Sequence, residues 1–118
     1  KESIQVVNDQ WGCPTFSHDL AKAVALLMEV DARGIFHVCN RGKATWYDLA
    51  CKAIEYVGLG TRVVPVDTAA FPRPAQRPLH SILSTKKFTK KTGKVMPLWQ
   101  ASLETHLREL LQHAKGSA

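Results

Sequence analysis

Apolar residues recur along this chain at two spacings, which divide it into short strands and helices. Ile4 to Val7 is a short β-branched run and predicts a strand. Leu20, Val24, Leu27 and Met28, with Ala21 and Ala25 beside them, repeat at helical spacing. Ser17 suits the N-cap of that helix, and Asp19 falls in its first turn, where negative charge complements the helix dipole. The helix should stop near Asp31-Ala32-Arg33-Gly34. Ile35 to Cys39 predicts a short apolar strand and Asn40 to Lys43 a loop. Thr45 with Asp48 has capping-box spacing, Asp standing where Glu is usual. Trp46, Leu49, Ala50, Ala53, Ile54 and Val57 form one face of a second helix, ended by Gly58. Arg62 to Val66 reads as a further strand, and Asp67 to Pro78 as an irregular, proline-rich stretch. Ser84 should cap a short helix from Lys86 to Lys91, with Gly93 ending it. Pro97 suits the first turn of a last helix. Trp99, Leu103, Leu107, Leu110 and Leu111 line one face of that helix, and the tail from His113 to Ala118 should fray. Alternating strands and helices give an α/β chain, mixed α+β in detail. The strands are too few for a complete doubly wound sheet.

At 118 residues the chain should form one domain spanning 1–118. Its 45% hydrophobic content is enough for a core. A domain this small hides only about two-thirds of its unfolded surface. If it normally docks on a partner domain, it should carry an exposed apolar patch. No apolar run approaches the roughly 20 residues of a membrane span, and no N-terminal pattern reads as a signal peptide. The three cysteines, Cys13, Cys39 and Cys51, are odd in number and lack C-x-x-C spacing. This argues for small buried or half-buried thiols in a reducing cytoplasm, against a disulfide framework or zinc site. The net charge of +6 attracts anions without choosing among nucleotides, nucleic acid and anionic surfaces.

Two blocks stand apart from the core pattern: Asn8-Asp9-Gln10-Trp11-Gly12-Cys13-Pro14-Thr15, and Phe71-Pro72-Arg73-Pro74-Ala75-Gln76-Arg77-Pro78. Both combine turn formers with side chains that recognise polar ligands, the composition of binding loops held on a rigid scaffold. Asp9 has two readings, a carboxylate that holds a turn or a ligand contact. Trp11 reads as a core aromatic before a stacking platform. Arg77 presents a planar, permanently charged fork suited to a diphosphate, and a salt bridge to Asp67 or Glu104 is the competing use. Arg73 is the weaker candidate. His80 and Ser81 lie close enough in sequence to reach the same place. His37, within an apolar run, reads as a satisfied half-buried side chain. No G-x-S-x-G or H-E-x-x-H occurs.

In the order they occur, these blocks resemble the C-terminal part of the dTDP-4-dehydrorhamnose reductases, members of the extended short-chain dehydrogenase/reductases. The resemblance is carried by N-D-Q-x-G-x-P-T before D-L-A, Gly34-Ile35-Phe36-His37-Val38, Thr45-Trp46-Tyr47-Asp48-Leu49-Ala50, R-P-x-x-S-x-L-x-T-x-K-F from Arg77 to Phe88, and Pro97-Leu98-Trp99. It covers roughly Ile4 to Leu107. It implies a small substrate-binding domain in an enzyme that reduces dTDP-4-dehydro-6-deoxy-L-mannose to dTDP-L-rhamnose. Substrate contacts would come from Asn8, Asp9, Gln10, Arg73 and Arg77, with the amides of Asn8 and Gln10 bonding sugar or nucleotide oxygens. The family's cofactor, NADPH or NADH, sits on a Gly-rich turn after a strand. No such motif occurs here, and Gly58 and Gly60 follow a helix. The family's acid is a Tyr with a Lys four residues on, whereas Tyr47 is followed at that spacing by Cys51 and Tyr56 by Gly60. The expectation is therefore a C-terminal portion without catalytic residues, its N-terminal Rossmann half absent and the chain inactive alone. The resemblance leaves homodimer formation and magnesium dependence open.

Two other classes compete: a non-catalytic regulatory or nucleotide-sugar-binding module, and a basic nucleic-acid-binding fragment. The latter draws on Lys86, Lys87, Lys90, Lys91 and Lys94, but Phe88 is the lone aromatic among them, and stacking platforms need several. A solvated helix face is the better reading. Salt separates the classes. Nucleic-acid affinity falls steeply between about 50 and 200 mM salt, while affinity for one dTDP-sugar should change far less; a titration in both ligands measures the difference.

Overall fold

The computed structural model describes residues 2–116. Its chain order is β1 (Ser3–Val7), β2 (Trp11–Gly12), α1 (Ser17–Glu29), β3 (Ala44–Thr45), α2 (Trp46–Val57), β4 (Arg62–Val66), a 3-10 turn (Thr68–Ala70), α3 (Lys86–Thr92) and α4 (Trp99–Gly116). β1 and β4 pair in parallel from Ser3↔Arg62 to Val7↔Val66, and β2 and β3 pair antiparallel. The mixed α/β expectation holds, with two two-stranded sheets in place of one wide sheet. Pro65 fits β4 because β4 has a strand on one side only and can spare a backbone donor.

Two small cores hold the elements together. Ala23 of α1, Phe88 of α3 and Met96 form one, with Leu26, Leu27, Phe36 and Val38 packed around them. Ala44, Trp99 and Leu103 form the other, with Phe16, Leu49, Ala53 and Leu107. The capping box at Thr45 and Asp48 is present in both directions, and Gly58 closes α2 in the left-handed conformation.

Between the cores lies a buried polar centre. Asn40 is wholly buried. Its Oδ1 accepts from Phe16 N (2.8 Å), and its Nδ2 donates to Asp19 Oδ2 (2.9 Å), Pro97 O (3.2 Å) and Ser102 Oγ (3.3 Å). Ser102 Oγ also donates to Asp19. The starts of α1 and α4 are thereby tied to the loop after Cys39. Beside it, Arg41 exchanges backbone bonds with Pro97 and Trp99, and Gly42 (φ 94°) lets the Trp99 ring pack where a Cβ would stand 3.0 Å from Cδ1.

Several local expectations are corrected. Ser17 is the first helical residue of α1; the N-cap is Phe16, with no side-chain cap. Asp19 is engaged by Asn40 and Ser102. Residues 35–39 alternate as a strand would, Phe36 and Val38 on the core and Ile35 and His37 exposed, but no neighbouring strand completes a ladder. His37 is thus exposed rather than half-buried. α3 has Thr85 at its N-cap, and Ser84 Oγ accepts from Lys86 N instead. Pro97 precedes α4, offering its carbonyl to Asn40 and Arg41. Trp46 is 57% exposed, so it leaves the buried face of α2, and Leu110 and Leu111 extend past the packed part of α4. α4 continues to Gly116, so the tail expected to fray is helical over its described part; residues 117–118 lie outside the described residues.

The surface is large for the mass. Accessible area is 8495 Å², against about 6,400 Å² for a self-contained protein of this size. The radius of gyration is 16.7 Å, where a compact domain of this length has roughly 13–14 Å. Met28 and Ile35 are about three-quarters exposed, and Leu20 and Val24 add to the apolar surface of α1.

Replacing Asn40 with Ala leaves the Phe16 amide and the Asp19 carboxylate short of partners in a buried place. The expected loss is about 2–3 kcal/mol, read as a lowered midpoint in urea; an unchanged midpoint would remove Asn40 as the structural centre.

Candidate functional site

Residues 71–84 are exposed throughout, yet the segment is anchored. Trp11 N donates to Leu79 O (2.7 Å), and Ser81 N donates back to Trp11 O (2.8 Å). The Ser81 hydroxyl reaches the same carbonyl at 3.3 Å. Gly12 packs closely beside it: a Cβ there would stand 3.1 Å from Ser81 Oγ. These bonds set the Arg77–Ser81 segment alongside β2, and β2 against β3 at the start of α2.

A groove of about 700 Å³ opens along this junction. Its wall includes the end of β1, Gln10 to Thr15, Ala44 to Trp46, and Phe71, Arg73, Arg77, Pro78 and Ser81 from the proline-rich stretch. Two guanidinium groups and three aromatic rings therefore share one concavity. Lys43 Nζ lies 5.4 Å from the centroid of the Trp11 ring, adding positive charge nearby. Arg33 pairs with Asp31, and among the described residues no ion pair joins Arg77 to Asp67 or Glu104. An unpaired Arg fork near apolar rings suits a ligand that combines an anion with a planar or apolar group.

The groove brings together Gln10, Arg73 and Arg77 of the expected contact residues. Asn8 and Asp9 are not in its wall. Asn8 is exposed, with its backbone amide on Val66 O (2.8 Å). Asp9 accepts from Thr68 N (3.1 Å) and from Thr68 Oγ1 (2.6 Å). The Thr68 hydroxyl, then its amide, holds the Asp9 carboxyl below the usual carboxylate range. Asp9 thus fixes the end of β4, a long-range version of the turn-holding reading. Trp11 is half-buried and lines the groove, so the preference for a core role is corrected. Ser81 reaches the wall, and His80 does not.

Thr68 and Trp46 were not singled out for the site. Thr68 is 59 positions from Asp9, a pairing no local pattern reveals. Trp46 carried a readable signal: it directly follows the cap residue Thr45, at a helix start where side chains can project past the packed face.

Among the described residues a strand leads to an α-helix through Cys13-Pro14-Thr15-Phe16, from β2 to α1, and directly from β3 to α2; neither junction is a glycine-rich turn, so these residues do not fit a dinucleotide cradle. No group of three or more His, Cys, Asp or Glu side chains could hold a metal among the described residues. None of the described helices is long and apolar enough to cross a membrane.

Groove and fold together define a small α/β unit with one basic, aromatic-lined concavity. The chain belongs to the RmlD substrate binding domain family, whose model matches residues 1–112. It is 35% identical over 121 residues to dTDP-4-dehydrorhamnose reductase of Escherichia coli K12, covering 93% of this chain and 40% of that protein. The crystal structure of a dTDP-4-dehydrorhamnose reductase from Clostridium acetobutylicum superposes with a TM-score of 0.87 at 35% identity, over 94% of this chain and 39% of the other. The enzyme of that name from Bacillus anthracis, solved in complex with NADP, gives 0.85 at 34%, over 92% and 38%. The chain thus spans about 40% of the length of the reductases it matches.

The three cysteines are free. Burial, and then the neighbouring Cys13 thiol, pushes Cys39 up to about 11. Because the thiolate is the reactive form, iodoacetamide at pH 8 should label the half-buried Cys13 and Cys51 well before Cys39. The raised value favours the folded state below the ordinary thiol pKa, and that contribution is lost as pH rises through about 11. Equal labelling of all three at pH 8, followed by mass spectrometry of peptides, would contradict this.

Proposed function

We propose that this chain is the substrate-binding C-terminal domain of a dTDP-4-dehydrorhamnose reductase, an NADPH-dependent enzyme converting dTDP-4-dehydro-6-deoxy-L-mannose to dTDP-L-rhamnose. The observation that carries the reading is the single groove lined by Arg73, Arg77, Trp11, Trp46 and Phe71, in a chain of this family. On this reading residues 1–118 are one domain, and the dinucleotide-binding half precedes it in a longer protein. The excess surface and the exposed apolar face of α1 support a domain that normally docks on another. The NADP bound to the Bacillus anthracis relative supports the cofactor of the whole enzyme, and three unpaired thiols support a reducing cytoplasm.

In this division of labour the chain supplies grip and orientation. Arg77, with Arg73 beside it, holds the diphosphate through charge-assisted hydrogen bonds. Trp11 and Trp46 flank the planar and apolar parts of the ligand, and Gln10 contributes an amide. Holding a substrate in reacting geometry can lower a barrier by several kcal/mol, up to about 7–11 in ideal cases. Tyr47 and Tyr56 lack the Tyr-x-x-x-Lys spacing, and the proton donor is assigned to the preceding half.

The test is NADPH oxidation by the full-length protein with dTDP-4-dehydro-6-deoxy-L-mannose. Turnover is expected, and no turnover would overturn the reading. Arg77→Ala should raise KM roughly tenfold to a hundredfold, the worth of a hydrogen bond to a charged group. An unchanged KM would remove Arg77 from the diphosphate site.

A further inference from the structure

We propose that Gln10 reads a hydrogen-bond donor on the ligand, a sugar hydroxyl or a base imide N–H, through a carbonyl whose orientation Asp9 and Thr68 dictate. The inference rests on the groove being a nucleotide-sugar site and names what one of its wall residues recognises. It starts from a chain of three polar groups. The Thr68 hydroxyl lies 2.6 Å from Asp9 Oδ1 and 3.2 Å from the Gln10 amide. An ionised carboxylate only accepts, so the single hydroxyl hydrogen of Thr68 faces Asp9. The lowered pKa of Asp9 keeps that carboxylate ionised at neutral pH.

Thr68 Oγ1 can then only accept from Gln10. The amide end beside it must be Nε2, because a carbonyl there would set oxygen against oxygen with no hydrogen between. One N–H of Gln10 is occupied in this way, and the amino end is held beside Thr68 and Asp9. The carbonyl end is left clear, with no partner for Oε1 among the described residues. Gln10 lies in the groove wall. The polarity therefore runs from Asp9 through Thr68 to an acceptor on Gln10. An unrestrained Gln offers either end and discriminates poorly between donor and acceptor ligands; a fixed one discriminates. This reverses the expectation that the Gln10 amide donates to ligand oxygens. It also gives Asp9, outside the groove wall, a positioning role.

The decisive comparison is Thr68→Val against Thr68→Ser in the full-length protein. Binding of dTDP and of dTDP-glucose is measured by calorimetry, and the Gln10 side-chain NH2 is followed by NMR. Thr68→Val should weaken dTDP-glucose roughly threefold to tenfold, the worth of one net hydrogen bond, and speed hydrogen exchange of the Gln10 amide. Thr68→Ser should restore both. A loss confined to dTDP-glucose assigns the donor to a sugar hydroxyl, and an equal loss for dTDP assigns it to the base imide. Gln10→Met, which removes the acceptor and leaves Thr68 in place, should give a loss of similar size and serves if Thr68→Val does not fold. Unchanged affinities for both nucleotides in the folded variants overturn the proposal. Failure of the unaltered protein to bind either nucleotide overturns the functional reading beneath it.

Discussion

The rest of the structure depends on a buried amide. Asn40 is removed from water in a chain with little core, and such a group is tolerated only when its donors and acceptor are engaged. Meeting that demand forces Phe16, Asp19, Pro97 and Ser102 to converge, which brings the starts of α1 and α4 together. The same convergence holds the loop through Arg41, Gly42 and Lys43, and so positions β3 and the start of α2. Apolar contact alone would leave such small cores free to slide. A directional network sets one arrangement.

The groove is a consequence of this frame and of a second fastening. Residues 71–84 are exposed throughout, yet the Arg77–Ser81 segment is laid beside Trp11 by backbone bonds and does not float. Thr68 supplies the third tie, joining the end of β4 to the Asn8-Asp9-Gln10 turn. Charge and aromatic surface from three parts of the chain thus meet in one concavity. The Arg side chains stay available to a ligand because no carboxylate among the described residues pairs with them.

Surface and core tell a consistent story about the unit. Among the described residues seven hydrophobic side chains are buried, while Met28 and Ile35, next in sequence to residues of the first core, stand in solvent. A self-sufficient domain of this mass would hide more. The polar network therefore carries a larger share of the local order than it would in a domain with a full core, and the two small sheets are too narrow to close a core by themselves.

Local chemistry made much of this legible in the sequence. The Thr45–Asp48 capping box, Gly58 and Gly93 as left-handed ends and the β1 and β4 runs all depend on neighbours within a few positions, whereas Leu20, Val24 and Met28, apolar at helical spacing in α1, stand exposed. The candidates Arg73, Arg77 and Gln10 were legible too, because turn formers beside polar side chains mark loops wherever those loops end up. What local pattern could not decide was partnership. Residues 35–39 have strand alternation and no strand beside them, and Asp9 found Thr68 rather than a ligand. Trp11 and Trp46 turned from core candidates into groove wall, and Asn40 became the centre of the frame. Each of these outcomes rests on contacts between residues far apart in the chain, 59 positions in the case of Asp9 and Thr68. Local periodicity specifies which way a side chain faces along its own element, and only the packed chain decides what it meets there.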